Sequence, residues 1–323
     1  MPLLSIEDLR VEFTTESGSV TALCGVDLAL EAGQFAALVG ESGSGKSVTA
    51  LAVLGLLGPN ARRRARKLEF DGQDLLKASA SALRELRGRQ IGLVFQDAMS
   101  ALNPVSRVGD QLTEVLVLHR GLSRHDAQTE AVRALGRVGI AGPEQRARQY
   151  AHELSGGMKQ RVMIALALAG QPKLLIADEP TTALDVTIQA QILTLLKTLQ
   201  AELGLAVLLI THDAGVVAQF AHRVHVMYAG RVVERGPTAK VWGAPGHPYT
   251  RALLAALPRP EFVRRHLPAI PGQAPVLTEP LQGCAFSPRC AEALPQCRRE
   301  LPRPREIAPE HETSCWIPPR QPG

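Results

Sequence analysis

Residues 40 to 47, Gly40-Glu41-Ser42-Gly43-Ser44-Gly45-Lys46-Ser47, have the form GxxxxGK[ST], which suits chemistry on nucleotide phosphates. The glycines let backbone N–H groups converge as an anion nest. A helix opening directly behind them would turn its positive end to the same charge. Lys46 would reach the β- and γ-phosphates as a point charge, and the Ser47 hydroxyl would ligate Mg2+. Further along, the apolar run Leu174-Leu175-Ile176-Ala177 ends in Asp178-Glu179. Asp178 fits a carboxylate that holds Mg2+, directly or through water. Glu179 fits a base that polarises an attacking water. An acidic pair at a strand end says little alone, but with the glycine-rich loop upstream it points to nucleotide hydrolysis.

A second group of candidate ligands lies in the tail. Cys284, Cys290, Cys297 and Cys315 fall within the last forty residues, at intervals of five, six and seventeen residues. In a protein of a reducing compartment such clustering argues for metal rather than disulfides. A sulfur-only set suits zinc or an iron–sulfur cluster, because thiolates select both, and unliganded thiols are the plain alternative. Cys24 stands alone on an apolar run and reads as a small core residue.

The elements that must hold these groups can be read from periodicity. Leu4–Phe13 and Val20–Leu30 read as strands around the turn Glu16-Ser17-Gly18. Gln34–Val39 is a buried strand that runs into the glycine-rich loop and the helix Ser47–Leu57. Ile91–Phe95, Leu174–Ala177 and Ala206–Ile210 have parallel-strand character. Val224–Tyr228 and Arg231–Glu234 form a hairpin across Ala229-Gly230. The pattern predicts an α/β domain with a mainly parallel core sheet, an antiparallel side sheet and a helical insert at about 97–169. Proline becomes dense after Pro237, which places a boundary near Gly236–Val241, between a domain at 1–240 and a loop-rich one at 241–323. That tail is too small to be held by an apolar core of its own, and a bound metal would stabilise it.

The 323 residues are 45% hydrophobic and 21% charged, with 4% aromatics, as in a globular protein with room for two domains. No stretch approaches the ~18 apolar residues of a membrane span. The start, MPLLSIEDLR, lacks the basic and apolar regions of a secretion signal, so the expectation is a cytoplasmic protein acting at membranes through partners. The net charge is +5. The run Arg62, Arg63, Arg64, Arg66, Lys67 reads as a solvated loop after a helix, with a membrane-surface role as the lesser reading. No aromatics interleave it, which argues against base stacking and hence against nucleic acid.

The segment Leu154-Ser155-Gly156-Gly157-Met158-Lys159-Gln160 resembles the LSGGQ signature of ABC ATPases. Other family positions then match in order: Gln96 the Q-loop, Ala183-Leu184-Asp185 the D-loop, His212 the switch histidine and, most loosely, Phe13 the aromatic that stacks on adenine. The resemblance covers about residues 3–240 and implies a P-loop NTPase of ABC type. Met158 departs from the consensus glutamine, but the serine and two glycines are intact. By the same resemblance, Ser155, Gly156 and Gly157 contact the γ-phosphate bound by a second subunit, in a head-to-tail dimer that sandwiches two ATP molecules. The resemblance also implies that Gln96 lies where Mg2+, the attacking water and the helical insert meet and links nucleotide state to membrane subunits, and that His212 contacts the γ-phosphate and positions Glu179 and the water.

The run from Met163 to Gln191 resembles the D-type ATPase of oligopeptide and dipeptide importers. So do His247-Pro248-Tyr249-Thr250, Leu253-Leu254 and Gly283-Cys284-Ala285-Phe286-Ser287-Pro288-Arg289-Cys290 in the tail. That resemblance, with the loose cysteine spacing, favours [4Fe–4S] over zinc. It implies an F-type sister ATPase subunit or a homodimer, two transmembrane permease subunits, an extracytoplasmic binding protein, and a place at the cytoplasmic face of a bacterial inner membrane. Substrates of similar systems include dipeptides, oligopeptides, nickel and glutathione. Two readings of other classes compete: an ABC ATPase that acts on nucleic acid or the ribosome, and an electron-transfer protein built on the cysteines. The single cassette and importer-type tail weigh against the first, and the ATPase apparatus against the second.

Overall fold

The computed structural model describes residues 1–16, 18–96, 101–182, 184–257, 270–279 and 281–318. The chain opens with β1 (Leu4–Thr15), β2 (Gly18–Leu30), β3 (Phe35–Val39), α1 (Lys46–Leu54), β4 (Ala61–Arg64), β5 (Lys67–Phe70) and β6 (Gln73–Asp74). There follow α2 (Ala80–Leu86), β7 (Ile91–Val94), α3 (Val108–Arg120), α4 (Arg124–Arg137), α5 (Pro143–Ala147), α6 (Gly156–Ala169), β8 (Leu174–Asp178), α7 (Val186–Leu203) and β9 (Ala206–Thr211). The last part holds α8 (Ala214–Phe220), β10 (Arg223–Tyr228), β11 (Arg231–Pro237), α9 (Thr238–Gly243), α10 (Pro248–Ala255), β12 (Arg305–Ala308) and β13 (His311–Thr313). Among the described residues no helix is long and apolar enough to cross a membrane.

Two compact units result: Met1–Glu31, Phe35–Lys77 and Ile210–Gly323 form the first, Ala32–Gln34 and Ala78–Leu209 the second. In the first unit, β1 and β2 pair antiparallel from Leu4↔Leu30 to Thr15↔Gly18, and the sheet continues through β5 to β6, with β4 on β1. A second set of strands runs β12-β13-β11-β10-β3. There β10 lies parallel to β3 and antiparallel to β11. All five residues of β3 are buried, which is why the sequence there is continuously apolar rather than alternating.

The basic run is not a loop. Arg62, Arg63 and Arg64 lie in β4, opposite Glu12, Val11 and Arg10 of β1. Arg64 pairs with Glu12 at 2.8 Å and Arg66 with Glu7 at 2.9 Å, while the half-buried Arg63 donates to the carbonyls of Ala52 and Leu75. Cross-strand acids on β1 explain why so dense a charge run can be ordered.

The tail finds its support in this unit. β13 adds to the edge of β11 through Glu234↔Thr313. The buried Glu234 carboxylate accepts from Gly246 N at 2.6 Å, His247 N at 2.9 Å and His311 Nε2 at 2.7 Å. A buried carboxylate is tolerable only with such partners. Borrowing an existing strand edge thus supplies order that a loop-rich segment could not supply alone.

In the second unit the strand order is β9-β8-β7, with β7 parallel to β8. Helices α3 to α6 occupy the region where a helical insert is expected, whose first residues, 97–100, lie outside the described ones. Local signals set their ends. Ser123 caps α4 by accepting from Asp126 N, and Asp185 caps α7 by accepting from Ile188 N at 2.9 Å.

Candidate nucleotide site

β3 delivers the chain directly into the glycine-rich loop of the first unit. At Gly40 a Cβ would strike the Met227 carbonyl, and at Gly45, with φ +103°, it would lie 2.6 Å from Leu23 Cδ2. Side chains are excluded at both positions, so only glycine fits there. Gly45 ends the loop and Lys46 and Ser47 begin α1, one residue earlier than the sequence suggests, and the helix stops at Leu54, where Gly55 is left-handed. Lys46 Nζ is buried and donates to the carbonyls of Gly40 and Glu41, at 2.9 Å each. The Ser44 hydroxyl is buried, with no hydrogen-bond partner among the described residues. A buried cation and an unsatisfied hydroxyl on one glycine-rich loop suit an anion. Ser42 and Gly43 are exposed at its rim.

Glu41 takes a different part from the one its motif position suggests. Its amide donates to the Tyr249 hydroxyl at 2.9 Å, and its carboxylate turns to Arg289 at 2.8 Å. Neither Tyr249 nor Arg289 stands out by type or spacing; both lie in the tail motifs, where only family resemblance drew notice. Phe13 sits half-buried on β1 opposite Val20 and Ala61. His212 is exposed just after β9. Asp213 behind it caps α8, accepting from Gly215 N at 2.8 Å and Val216 N at 3.1 Å, and so fixes the turn that presents the imidazole.

In the second unit β8 is buried from Leu174 to Ala177 and carries Asp178 to its half-exposed end. Glu179 follows with φ 45°, a conformation costly for a residue with a Cβ and found where surroundings impose it. Its carboxylate accepts from Gln96 Nε2 and from Thr182 Oγ1, at 3.0 Å each. The two sequence-predicted residues Gln96 and Glu179 are therefore together, and Thr182 joins them unforeseen. These two donors fix the direction of the carboxylate.

The signature segment opens α6. Ser155 is its N-cap, accepting from Met158 N at 3.4 Å through the backbone, so the side chain at 158 has no part in the cap. Gly156 and Gly157 pack on the start of α7. A Cβ at Gly157 would lie 2.9 Å from Ile188 Cγ2, and one at Gly156 3.4 Å from Leu184 Cδ2. Asp185 caps that same helix, which brings signature and D-loop side by side within the unit. Ala183 lies outside the described residues.

Cys24 donates to the Ala229 carbonyl at 3.2 Å, and burial pushes its thiol up to about 11, as befits a core residue. In the tail, Cys284 N donates to Cys297 O at 2.7 Å. Burial raises the thiols of Cys284 and Cys290 and takes Cys315 to about 11, where the charges of the other three add to the effect. The four sulfurs thus share one neighbourhood and are of the right kind for a thiolate-bound metal. Among the described residues, however, no three His, Cys, Asp or Glu side chains are gathered as ligands of an ion.

Residues 11–182 match the ABC transporter family, and residues 233–297 match the C-terminal region of oligopeptide/dipeptide transporters. The chain is 49% identical over 316 residues to a probable peptide ABC transporter ATP-binding protein of Sinorhizobium fredii, covering 97% of this chain and 94% of that one. It is 48% identical over 316 residues to the oligopeptide transport ATP-binding protein OppD of Salmonella typhimurium, covering 98% and 94%. A dimeric ATP-binding cassette solved in a post-hydrolysis state with ADP and phosphate superimposes with a TM-score of 0.65 at 29% identity, over 73% of this chain and 98% of that one. With its phosphate nest, its acid at the end of β8 and its signature helix, the chain belongs to the ATP-binding proteins of the ABC transporter family.

Proposed function

We propose that the chain is the ATP-hydrolysing subunit of an importer for dipeptides or oligopeptides, working at the cytoplasmic face of a bacterial inner membrane. The observation that carries this reading is the loop at 40–47, with Lys46 buried over its carbonyls and Ser44 Oγ unsatisfied. In this reading the nest and Lys46 hold the β- and γ-phosphates, and Phe13 lies against adenine. Ser47, Gln96 and Asp178 would each serve as a ligand of Mg2+, which would neutralise charge developing on the phosphates. Glu179, aimed by Gln96 and Thr182, takes a proton from the attacking water, and His212 steadies the γ-phosphate.

Ser155, Gly156, Gly157 and Asp185 would serve the nucleotide of a second subunit, either an F-type sister or a second copy. ATP then binds two cassettes together, and loss of the γ-phosphate lets them part, a ligand-biased two-state switch. Two permease subunits would convert that switch into passage of a peptide handed over by an extracytoplasmic binding protein. Residues 1–240 would be the cassette and 241–323 the importer-type tail. Cys284, Cys290, Cys297 and Cys315 are the candidate ligands of a [4Fe–4S] cluster, with zinc the alternative, in a structural or regulatory role; no step of hydrolysis runs through them.

The test is nucleotide binding by Lys46→Ala. Removing a buried charge that faces phosphate weakens MgATP binding at least tenfold, or ~1.4 kcal/mol. Unchanged affinity in equilibrium titration would remove the loop from the site.

A further inference from the structure

An acid inside a phosphate-binding loop is a liability. Glu41 contributes its own carbonyl to Lys46 Nζ, so its carboxylate hangs from the same few atoms that must accept a polyanion. Left bare, it would repel the phosphates and compete for Lys46.

Arg289 prevents this. Its guanidinium meets Glu41 with two forked contacts, Nη1 to Oε2 at 2.8 Å and Nη2 to Oε1 at 3.2 Å. The remaining N–H groups go to the Tyr228 hydroxyl at 3.2 Å, the Ile270 carbonyl at 3.3 Å and the Pro271 carbonyl at 2.6 Å. All five donors of the fork are therefore spent. The Arg289 side chain is 8% exposed and that of Glu41 26%, so water screens the pair weakly. Aromatic rings wall it in: Phe286 stands edge-on to Tyr228 at 5.2 Å and tilted on Tyr249 at 5.4 Å, and Tyr249 holds the Glu41 amide. Arg289 closes the short helical turn Ser287–Arg289, between Cys284 and Cys290. The cysteine-bearing tail thus grips the phosphate loop by its one acid.

We propose that Arg289 is a positioning residue for nucleotide binding, which neutralises Glu41 and holds its carboxylate away from the phosphate nest. This rests on the reading of residues 40–47 as the nucleotide site. ATP affinity then depends on how the tail is seated.

The experiment is a set of equilibrium titrations with MgATP on the full chain. Arg289→Gln leaves an unpaired carboxylate beside the nest, and its Kd rises about tenfold, or ~1.4 kcal/mol. The double variant Arg289→Gln/Glu41→Gln removes that carboxylate and returns Kd to within about threefold of wild type. A tail that is merely loosened would not be rescued by a change in the loop. Arg251→Gln is the control: it breaks another ion pair of the tail, Arg251–Glu292 at 2.7 Å, and leaves Kd at the wild-type value. Should Arg289→Gln fail to fold, Arg289→Lys replaces it. With three donors on a point charge it cannot hold both carboxylate oxygens and the carbonyls, and Kd rises about threefold.

Wild-type affinity in the Arg289 variant overturns the proposal. So does a double variant as weak as the single one, or an Arg251→Gln loss equal to that of Arg289→Gln. Lys46→Ala in the same titrations separates the two levels. If Lys46→Ala binds weakly while Arg289→Gln binds normally, only the role of Arg289 fails; if Lys46→Ala binds normally, the site itself fails.

Discussion

Glu41 and Glu179 are the acids of the two segments proposed for phosphate chemistry, and their partners differ in kind. Glu179 sits at a strained φ with two neutral donors, Gln96 and Thr182, on its carboxylate. These donors fix the direction of its carboxylate, as the proposed role of base requires. Glu41 is bound by a cation that consumes its charge. Position in a motif does not distinguish these fates; the partner does. The same reasoning applies to the tail thiols. Burial and mutual charge raise Cys284, Cys290 and Cys315, so as free thiols they would be protonated and inert. A metal reverses this by ligating the thiolate. Protein purified without oxygen should carry about four irons and four acid-labile sulfides per chain, with broad visible absorbance. One zinc without iron would leave the thiolate site but replace the cluster, and the absence of both would show the cysteines to be unliganded.

At the scale of elements, β10 and the start of α10 carry a pH dependence. His225 on β10 is buried, with neither ring nitrogen hydrogen-bonded among the described residues. Burial, helped by Arg223 and Arg235, lowers it to about 3. His247 caps α10, its Nδ1 accepting from Tyr249 N at 3.0 Å. Burial lowers it to about 4, with Glu234 opposing and Arg251 assisting. Both are neutral when folded and take up protons below ~6.5 when unfolded. Stability is therefore full above ~6.5 and is lost as pH falls toward 4 and 3, by about 2 kcal/mol per histidine at pH 5. Thermal unfolding should show a lower Tm at pH 5 than at pH 7.5, and His225→Leu should lose less over the same interval. An equal drop in both proteins would remove His225 as a cause.

For the molecule as a whole, much of the architecture was legible in the sequence because it is written in local signals. Continuous apolar runs gave β3, β8 and β9, and the glycine spacing gave the loop at 40–47. Relations that depend on distant residues were not legible. The basic run reads as a loop because the acids that pair with Arg64 and Arg66, Glu12 and Glu7, lie some fifty or more residues earlier. Thr182 gave no sign of meeting Glu179, nor Arg289 of reaching back 248 residues to Glu41. The support of the tail was not legible because proline marks a break in helices but says nothing of which strand edge the chain will later join.

The most direct test of hydrolysis at the proposed site is phosphate release at saturating MgATP by Glu179→Gln beside wild type. Loss of the base lowers the rate about 10²- to 10⁴-fold while MgATP binding stays within about threefold. Phosphate release at the wild-type rate would contradict the account.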